Sequence, residues 1–309
     1  MLIANNYTFR LSEHLEMTSF ITTPSILGIW HMERDLFIEG NILYSTGKEL
    51  MTTDGNSTAL VFASNTSMSD SSFIAVSGFA QTSRAEVIFV DEVNGCLRSM
   101  NRSSNLMYNL TGDCGRRGYE DGFHALFKYP LFVVQDHFTP CLLYVPDLTN
   151  YAVRMVVKSS RPYVTTLISS ANRPFLRIYT AITQAHHRKY LYITHSHGLE
   201  CYDQMTNTSV DLILTRHHFG DALIYDSSFI SFLSIILYKG LIITADYSQN
   251  KIFIVNPKTR SISLMCSGVA GQQPGNLSVC QLDSPMGLLE DDDDIYIGDK
   301  YGIRIIEGE

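Results

Sequence analysis

Apolar and polar positions follow a repeating pattern in this chain: an apolar segment, a tight polar turn and a second apolar segment recur at intervals of about fifty residues. A period of roughly 40 to 50 residues in a strand-rich sequence is typical of a β-propeller, in which each repeat forms one blade. The turns agree, because Asp bonds backbone N–H groups two residues on and Asn or Gly tolerates the left-handed backbone that reverses the chain. The predicted strand pairs, strands b and c of successive blades, are 87–98, 142–154, 191–202, 241–254 and 295–306.

Two further segments complete the repeats. An alternating segment after four of the pairs predicts an outer strand d, and an apolar segment before each pair predicts an inner strand a. The predicted outer strands are 106–110, 163–168, 210–214 and 261–265. The predicted inner strands are 73–76, 131–134, 179–183, 232–237 and 286–289. A more degenerate copy over residues 26–62 makes six units.

The two ends of the chain are predicted to share one blade. The last repeat stops at Glu309 after its third strand, while strand-like runs at 7–11 and 15–21 precede the first repeat. Pairing of these ends removes the open sheet edge that a propeller would otherwise expose. The sequence therefore predicts an all-β, six-bladed β-propeller, in one domain over residues 1–309, with its last blade closed by N- and C-terminal strands.

One repeat resembles the NHL-repeat β-propeller family. Residues 118–130 and 144–150 are similar to the family's G-x-x-D-G…A-x-F-x-x-P…Y-V-x-D-x-x-N pattern, and residues 275–299 are a weaker copy. The repeats at 26–62 and 179–214 depart from the pattern, and in the second of these His195 stands where Asp is usual. The resemblance implies a propeller of the extracellular NHL type.

The six cysteines suit an oxidising compartment, since their number is even and no C-x-x-C motif indicates a zinc or redox site. In a propeller blade, the start of strand c lies beside the end of antiparallel strand d, and this brings Cys96 close to Cys114. The predicted disulfides are Cys96–Cys114, the similarly spaced Cys266–Cys280 and, by elimination, Cys141–Cys201 between neighbouring blades.

Glycosylation sequons are more frequent than chance predicts. Seven occur, against roughly 2.6 expected from the numbers of Asn, Ser and Thr. The excess favours an N-glycosylated extracellular protein, either secreted or the ectodomain of a surface protein. The sequon asparagines are Asn6, Asn56, Asn65, Asn101, Asn109, Asn207 and Asn276.

The composition of the chain limits the classes of partner that it can bind. The 309 residues carry a formal net charge of −8 without a Lys/Arg cluster, which disfavours nucleic acid and favours a protein or a glycan. No apolar run approaches the roughly 20 residues of a membrane helix, so no transmembrane segment is predicted. The first residues lack the basic and apolar regions of a secretory signal, which we expect to have been removed or to lie outside this sequence.

Catalytic motifs are scarce, and neither a catalytic residue nor a cofactor is predicted. Some NHL-type propellers are enzymes, and a resemblance to peptidyl-α-hydroxyglycine amidating lyase implies a histidine-bound zinc at the propeller axis. His195, His197 and His124 fall on one predicted end of the propeller, but turn or surface histidines are the preferred interpretation. The run 291–294 is interpreted as a solvated acidic turn, because four contiguous carboxylates cannot all point towards one cation. No G-x-S-x-G motif occurs.

The preferred hypothesis is a non-enzymatic extracellular module for recognition or assembly; the alternatives are a zinc-dependent lyase of the amidating type and a structural subunit of an extracellular filament or coat. Asn56, Asn101 and Asn207 fall in predicted c–d turns, so glycans would cover that end of the propeller. A partner is expected at the opposite end, where Tyr and His offer apolar faces with polar tips. The predicted contact residues are Tyr119, Asp147, His195, His197 and Tyr247, of which Asp147 is also expected to hold its turn.

Overall fold

The computed structural model describes residues 16–22, 29–63, 76–171, 179–184, 190–215, 223–225, 232–266 and 268–308. Within these residues no helix has the length and apolar character needed to cross a membrane. Their strands form six sheets arranged as the blades of a β-propeller, which confirms the predicted fold class. Strands a to d of each blade are antiparallel neighbours and follow one another outward from the propeller axis.

The strand bounds are as follows. Blade 6 takes its outer strand from the N-terminal part of the chain, β1 (Glu16–Thr22). Blade 1 contains β2 (His31–Arg34), β3 (Ile42–Ser45), β4 (Glu49–Thr53) and β5 (Thr58–Ala63). Blade 2 contains β6 (Val76–Ser83), β7 (Glu86–Asp91), β8 (Cys96–Asn101) and β9 (Leu106–Thr111). Blade 3 contains β10 (Val134–Gln135), β11 (Leu142–Asp147), β12 (Ala152–Val157) and β13 (Tyr163–Ser169).

Blade 4 contains β14 (Tyr179–Gln184), β15 (Tyr190–His195), β16 (Gly198–Asp203) and β17 (Thr208–Thr215), with β18 (Leu223–Tyr225) parallel at its outer edge. Blade 5 contains β19 (Phe232–Tyr238), β20 (Leu241–Asp246), β21 (Lys251–Asn256) and β22 (Ser261–Met265). Blade 6 is completed by β24 (Gly287–Asp291), β25 (Asp294–Asp299) and β26 (Gly302–Ile306), with β23 (Gly275–Asn276) beyond β1.

The chain ends meet in blade 6, as predicted. Strand β1 pairs antiparallel with β26 from Met17↔Ile306 to Thr22↔Gly302 and so becomes strand d of that blade. Met17 is 1% exposed and packs with Ile306 in a buried cluster, so the pairing is reinforced by apolar burial. The predicted strand at 7–11 lies outside the described residues.

Much of the core lies between neighbouring blades, because successive side chains of a strand face opposite sides of the sheet. In blade 4, Leu191 and Tyr202 pack in one cluster with Tyr144 of blade 3. On the other side of the same blade, Leu199 packs with Ile242 of blade 5. Each blade is therefore held by both of its neighbours, and side chains at the strand ends are free to build the two ends of the propeller.

Two of the predicted disulfides are confirmed. Cys96–Cys114 joins the start of β8 to the connection after β9, with Cα atoms 5.1 Å apart. Cys266–Cys280 joins the end of β22 to the segment after β23, with Cα atoms 4.6 Å apart. Both bridges are local, between residues separated by 18 and 14 positions.

The predicted disulfide Cys141–Cys201 is wrong, since both residues are free thiols. Cys201 packs against the cluster that holds Leu199 and Ile242, on the side of blade 4 that faces blade 5. Cys141 is exposed just before β11 in blade 3, and blade 3 meets the other side of blade 4. Burial raises the pKa of the Cys201 thiol to about 12, which keeps it protonated and unreactive.

A partly buried ion pair connects blade 2 with blade 3. Lys158, just after β12, donates to Glu86 at the start of β7. Burial alone would raise the pKa of Glu86, but hydrogen bonds donated by Lys158, Thr82, Ser99 and Tyr108 lower it to about 2. The carboxylate is therefore stabilised more in the folded protein than in the unfolded chain.

We expect Glu86→Gln to remove part of the acid sensitivity of the fold. The folded pKa lies below the ordinary Glu value of about 4.3, so this stabilisation is present above that value and is lost as the pH falls towards about 2. Urea unfolding between roughly pH 6 and pH 2.5 should show a smaller loss of stability in the variant than in the wild type. Glu49→Gln, at an exposed position, is the matched control; equal slopes for all three proteins would contradict the prediction.

Candidate functional site

The propeller has two ends with different loops. The b–c turns and the d–a connections form one end, which we call the b–c end; the a–b and c–d turns form the other, the a–b end. Asn56 lies between β4 and β5, Asn101 is the last residue of β8, and Asn207 directly precedes β17, so all three occupy c–d turns as predicted. Asn109 in β9 and Asn276 in β23 are exposed on outer-edge strands. The remaining sequon asparagines, Asn6 and Asn65, lie outside the described residues.

The b–c end is built on buried acid–base pairs. In three blades, the Asp that ends strand b pairs with an Arg of strand c, and every one of these carboxylates is fully buried. Buried pairs of this kind position a turn rigidly, because breaking one leaves an uncompensated charge inside the protein. The pairs are Asp91–Arg98 at 2.9 Å, Asp147–Arg154 at 3.2 Å and Asp299–Arg304 at 3.6 Å.

Asp147 is used entirely for structure. Its Oδ1 accepts hydrogen bonds from the backbone N–H groups of Lys128 and Tyr129, at 3.1 and 2.9 Å. Its Oδ2 accepts from Asn150 Nδ2 at 2.7 Å and from Arg154 Nη1. Asp147 is 0% exposed, so the prediction that it contacts a partner is corrected. The accompanying expectation, that it holds its turn, describes what the side chain does.

Arg154 fastens a long connection to blade 3. Its Nη2 donates to Asp121 Oδ1 at 2.6 Å and to the Glu120 carbonyl oxygen at 2.7 Å, and its Nη1 donates to the Leu126 carbonyl oxygen at 3.1 Å. This connection does not stay on the b–c end, because Gly122 exchanges backbone hydrogen bonds with Val164 at the outer edge of blade 3. The connection therefore runs partly down the side of the propeller.

The left-handed residue of the b–c turn is not always the predicted Asn. In blade 5, Asn250 has the left-handed backbone conformation, with φ of 55°. In blades 2 and 3 the next residue adopts it instead, Gly95 at 69° and Tyr151 at 52°. Asn94 and Asn150 use their side-chain N–H groups to donate to the Asp three positions earlier. Asn therefore serves these two turns through its side chain.

Blade 4 reverses the chemistry of this position. His195 ends strand b, where blades 2, 3, 5 and 6 have Asp, and Glu200 lies on strand c in the register that Arg occupies in blades 2, 3 and 6. Glu200 pairs in register with Asp211 of strand d. One ligand-type atom from each of the three side chains lies within 4.8 Å of the others, and His195 Nε2 is 3.8 Å from Asp211 Oδ1. It is the only such group of three metal-ligating side chains in the described part of the chain.

These side chains do not fit a zinc ion bound through His195 Nε2. The backbone N–H of His197 donates to His195 Nδ1 at 3.2 Å, so Nδ1 carries a lone pair and the ring proton of the neutral imidazole is on Nε2. A metal-bound imidazole has the opposite arrangement, with its second nitrogen donating a hydrogen bond. The Nε2–H that faces Asp211 instead resembles the guanidinium N–H groups of the other blades. His195 is 1% exposed, so the prediction that it contacts a partner is corrected as well.

The three histidines considered for a metal site are not brought together. His197 follows His195 in the turn of blade 4, and its ring centroid is 6.4 Å from that of His195. His124 is exposed and lines a groove of about 450 Å³ between blades 2 and 3. His195 lies at the interface between blades 3 and 4. Blade 3 therefore stands between His195 and the groove that His124 lines.

Three of the predicted contact residues remain accessible. Tyr119 is 48% exposed, Tyr247 is 39% exposed and His197 is half-buried. The Arg154 guanidinium lies 5.0 Å from the centroid of the Tyr119 ring and orients it. The turn that carries Tyr247 is held by Asp246 Oδ1, which accepts the backbone N–H of Ser248 at 3.0 Å. These side chains are therefore presented on ordered loops.

Sequence reasoning missed a polar cluster beside this surface. Burial raises the pKa of Glu92, whose Oε1 accepts a hydrogen bond from the Tyr129 hydroxyl at 3.3 Å. The Arg117 guanidinium lies 5.4 Å from the Tyr129 ring centroid and donates to the Val93 carbonyl oxygen at 2.6 Å. The position of Glu92, directly after the Asp that ends strand b, was the sequence feature that could have indicated this cluster.

Comparison with known proteins shows the fold. No protein-family model matches the chain, and no curated protein matches it either. An auxiliary nutrient binding protein from Bacteroides thetaiotaomicron is similar in structure, with a TM-score of 0.69 and 14% identity over 98% of this chain and 78% of that one. Virginiamycin B lyase from Staphylococcus aureus is also similar, with a TM-score of 0.63 and 11% identity over 95% of this chain and 98% of that one.

An extracellular domain assigned to a hybrid two component system of B. thetaiotaomicron has a TM-score of 0.61 and 11% identity, over 95% of this chain. The match covers 40% of that solved extracellular domain. At such identities the likeness establishes that the chain has the propeller fold of these structures, whereas membership of the NHL-repeat family stays a prediction.

Proposed function

We propose that the chain is a non-enzymatic recognition or assembly module outside the cell: one N-glycosylated, NHL-type propeller domain that binds a protein or glycan partner through its b–c end. The accessible side chains Tyr119, His197 and Tyr247 supply the contacts. Tyr and His suit this role because each combines an apolar face with a polar tip and loses little conformational entropy on binding.

The extracellular location has three supports. Two disulfides are formed, and disulfides persist in oxidising compartments. The described sequon asparagines Asn56, Asn109, Asn207 and Asn276 are exposed and Asn101 is half-buried, so all five offer sites for glycans. Structural neighbours include a nutrient binding protein and an extracellular domain.

The observation that carries the binding proposal is the contrast within the b–c end. Asp147 and Arg154 are buried and hold the loops, while Tyr119 and Tyr247 are exposed on those loops. Large aromatic side chains on a preformed scaffold are the residues on which binding energy commonly concentrates. The zinc-lyase alternative is not carried further, because the His195 tautomer does not fit a metal ligand at Nε2.

The test is a triple variant, Tyr119→Ala, His197→Ala and Tyr247→Ala, used as bait in the native extracellular fraction. We expect recovery of the partner to fall by about tenfold or more, since each lost hot-spot contact typically costs more than 1 kcal/mol. Tyr108→Ala with Tyr163→Ala, exposed aromatics on outer strands, is the matched control. Unchanged recovery of the partner with the folded triple variant would exclude this surface as the binding site. Detection of the native protein only inside the cell would exclude the proposed extracellular location.

A further inference from the structure

The a–b end carries an exposed apolar tip. Leu36, Phe37 and Ile38 are consecutive in the turn between β2 and β3, and their exposed fractions are 44%, 46% and 40%. Single exposed apolar residues are ordinary. Three consecutive ones in a turn lower the solubility of a protein, so their presence suggests that they have a function. We refer to these three residues as the apolar tip.

The apolar tip is rigidly held. Asp35 Oδ1 accepts the backbone N–H groups of Phe37 and Ile38, at 2.9 and 3.1 Å. Asp35 is itself buried and paired with Arg102 of blade 2, whose guanidinium carbon lies 4.7 Å from the Phe37 ring centroid. The backbone N–H of Leu36 donates to Gln81 of blade 2 at 3.0 Å. A surface ordered in advance binds with a smaller entropic cost.

Blade 3 contains the same turn with different side chains. Asp136 Oδ1 accepts the backbone N–H groups of Phe138 and Thr139, at 2.8 and 2.7 Å, and the backbone N–H of His137 donates to Gln184 of the next blade at 2.8 Å. This reproduces the bonds made by Asp35 and Gln81 in the blade 1 turn.

The comparison separates what the turn needs from what it does not. His137 and Thr139 occupy the places of Leu36 and Ile38, so the backbone conformation is compatible with polar residues at both positions. Among the three residues that follow the Asp, only the central Phe is common to the two turns. The apolar character of Leu36 and Ile38 is therefore not required by the fold.

The surroundings of the apolar tip are acidic. Arg34 pairs with Asp291 and, at 2.9 Å, with Asp292, and this joins the a–b turn of blade 6 to blade 1. Asp293 pairs at 2.6 Å with Lys239 of blade 5. Asp291 and Asp292 share Arg34, Asp293 pairs with Lys239, and Asp294 accepts the backbone N–H of Gly308 at 2.9 Å, so the run 291–294 does not converge on a cation.

The four carboxylates of the run 291–294 have two cationic partners, Arg34 and Lys239, and the Asp292 side chain is 91% exposed. The exposed Glu39 adds a further negative charge beside the apolar tip. The c–d turn of blade 5 carries no sequon, because Lys258 stands two positions after Asn256, whereas Asn276 pairs with Glu16 at the outer edge of blade 6.

We infer that the apolar tip and the acidic run 291–294 form a second interaction surface, which takes a protein segment with an apolar face bordered by Lys or Arg. Opposite charge around an apolar contact favours encounter and fixes orientation. A membrane is the less suitable occupant, because anionic headgroups are repelled by the same carboxylates. This surface is on the opposite end from Tyr119 and Tyr247, so it is independent of the binding proposed there.

The probe is a fluorescent amphipathic peptide of Leu and Lys, titrated against the full chain and followed by anisotropy. At pH 8, where the added imidazole is neutral, we expect Leu36→His with Ile38→Thr, which installs the side chains of the blade 3 turn, to weaken binding by about tenfold or more without a change in net charge. Leu264→Thr, which removes an exposed apolar residue of β22, is the matched control and should leave affinity unchanged. Asp292→Asn should weaken binding at low salt by about two- to fivefold and reduce its salt dependence.

Three outcomes would overturn the inference: equal affinity of the wild type and the double variant, equal affinity for a Leu and Glu peptide of the same length, or binding to phosphatidylcholine/phosphatidylserine vesicles that depends on Leu36 and Ile38. The last would assign the surface to lipid. The triple variant at Tyr119, His197 and Tyr247 should retain the peptide, so failure of the b–c end proposal would be distinguishable from failure here. Thermal unfolding of each variant checks that its fold is intact.

Discussion

Replacing Arg154 with methionine is expected to lower the free energy of unfolding by about 3–5 kcal/mol, the cost of breaking a buried ion pair by removing one partner. Arg154 and Asp147 are both 0% exposed, so the variant would leave a buried carboxylate without its cation. The bonds to Asp121 and to the carbonyl oxygens of Glu120 and Leu126 would be lost as well. Urea unfolding monitored by circular dichroism measures the change.

Two further variants test the explanation. Arg161→Met removes an exposed arginine near the same blade and should change stability by less than about 0.5 kcal/mol. Asp147→Asn together with Arg154→Met should recover part of the loss, since it removes the unpaired charge while the amide oxygen can still accept the backbone N–H groups of Lys128 and Tyr129. A loss below about 1 kcal/mol in Arg154→Met would show that the pair does not hold the b–c end.

Removing the Cys96–Cys114 disulfide by two Cys→Ala changes should destabilise the protein by about 3 kcal/mol. The bridge closes an 18-residue separation, and in the chain-entropy model its main effect is to restrict the unfolded chain. Reduction of the wild type breaks Cys266–Cys280 as well, so it should lower the stability by more than this variant does. The measurement is guanidinium unfolding with and without reductant.

The free thiol Cys141 provides the control, because Cys141→Ala removes an exposed cysteine that makes no bridge. It should leave both the stability and the effect of reductant unchanged. Peptide mapping without reduction should recover Cys96 linked to Cys114 and Cys266 linked to Cys280. Free thiols at either pair would remove the main support for an extracellular location.

Much of the fold followed from local signals. The alternation of apolar segments and Asp-rich turns located the b and c strands, because a hairpin is specified by residues close together in sequence. The two confirmed disulfides were predictable for the same reason, since each joins residues within one blade or its following connection. Closure of blade 6 by β1 followed from the missing fourth strand and the cost of an open sheet edge.

The incorrect predictions depend on which side of a blade a residue faces. Cys201 faces blade 5 and therefore cannot reach Cys141 of blade 3. Asp147 and His195 were placed correctly in their turns, but the turn sequence alone does not show that their side chains point inward to partners on other strands. Their partners, such as Arg154 and Asp211, lie on other strands of the blade and not in the turn itself.

The sequence by itself determined the repeat, the six blades, the shared last blade and the local disulfides, because each depends on periodicity or on neighbours along the chain. Only the tertiary structure decided which polar side chains are buried, which tautomer His195 adopts and which apolar residues stay exposed. Asp35, for example, orders the apolar tip only through Arg102 and Gln81 of the next blade. Contacts between blades join residues that no local pattern relates, and they determine which surfaces are left for a partner.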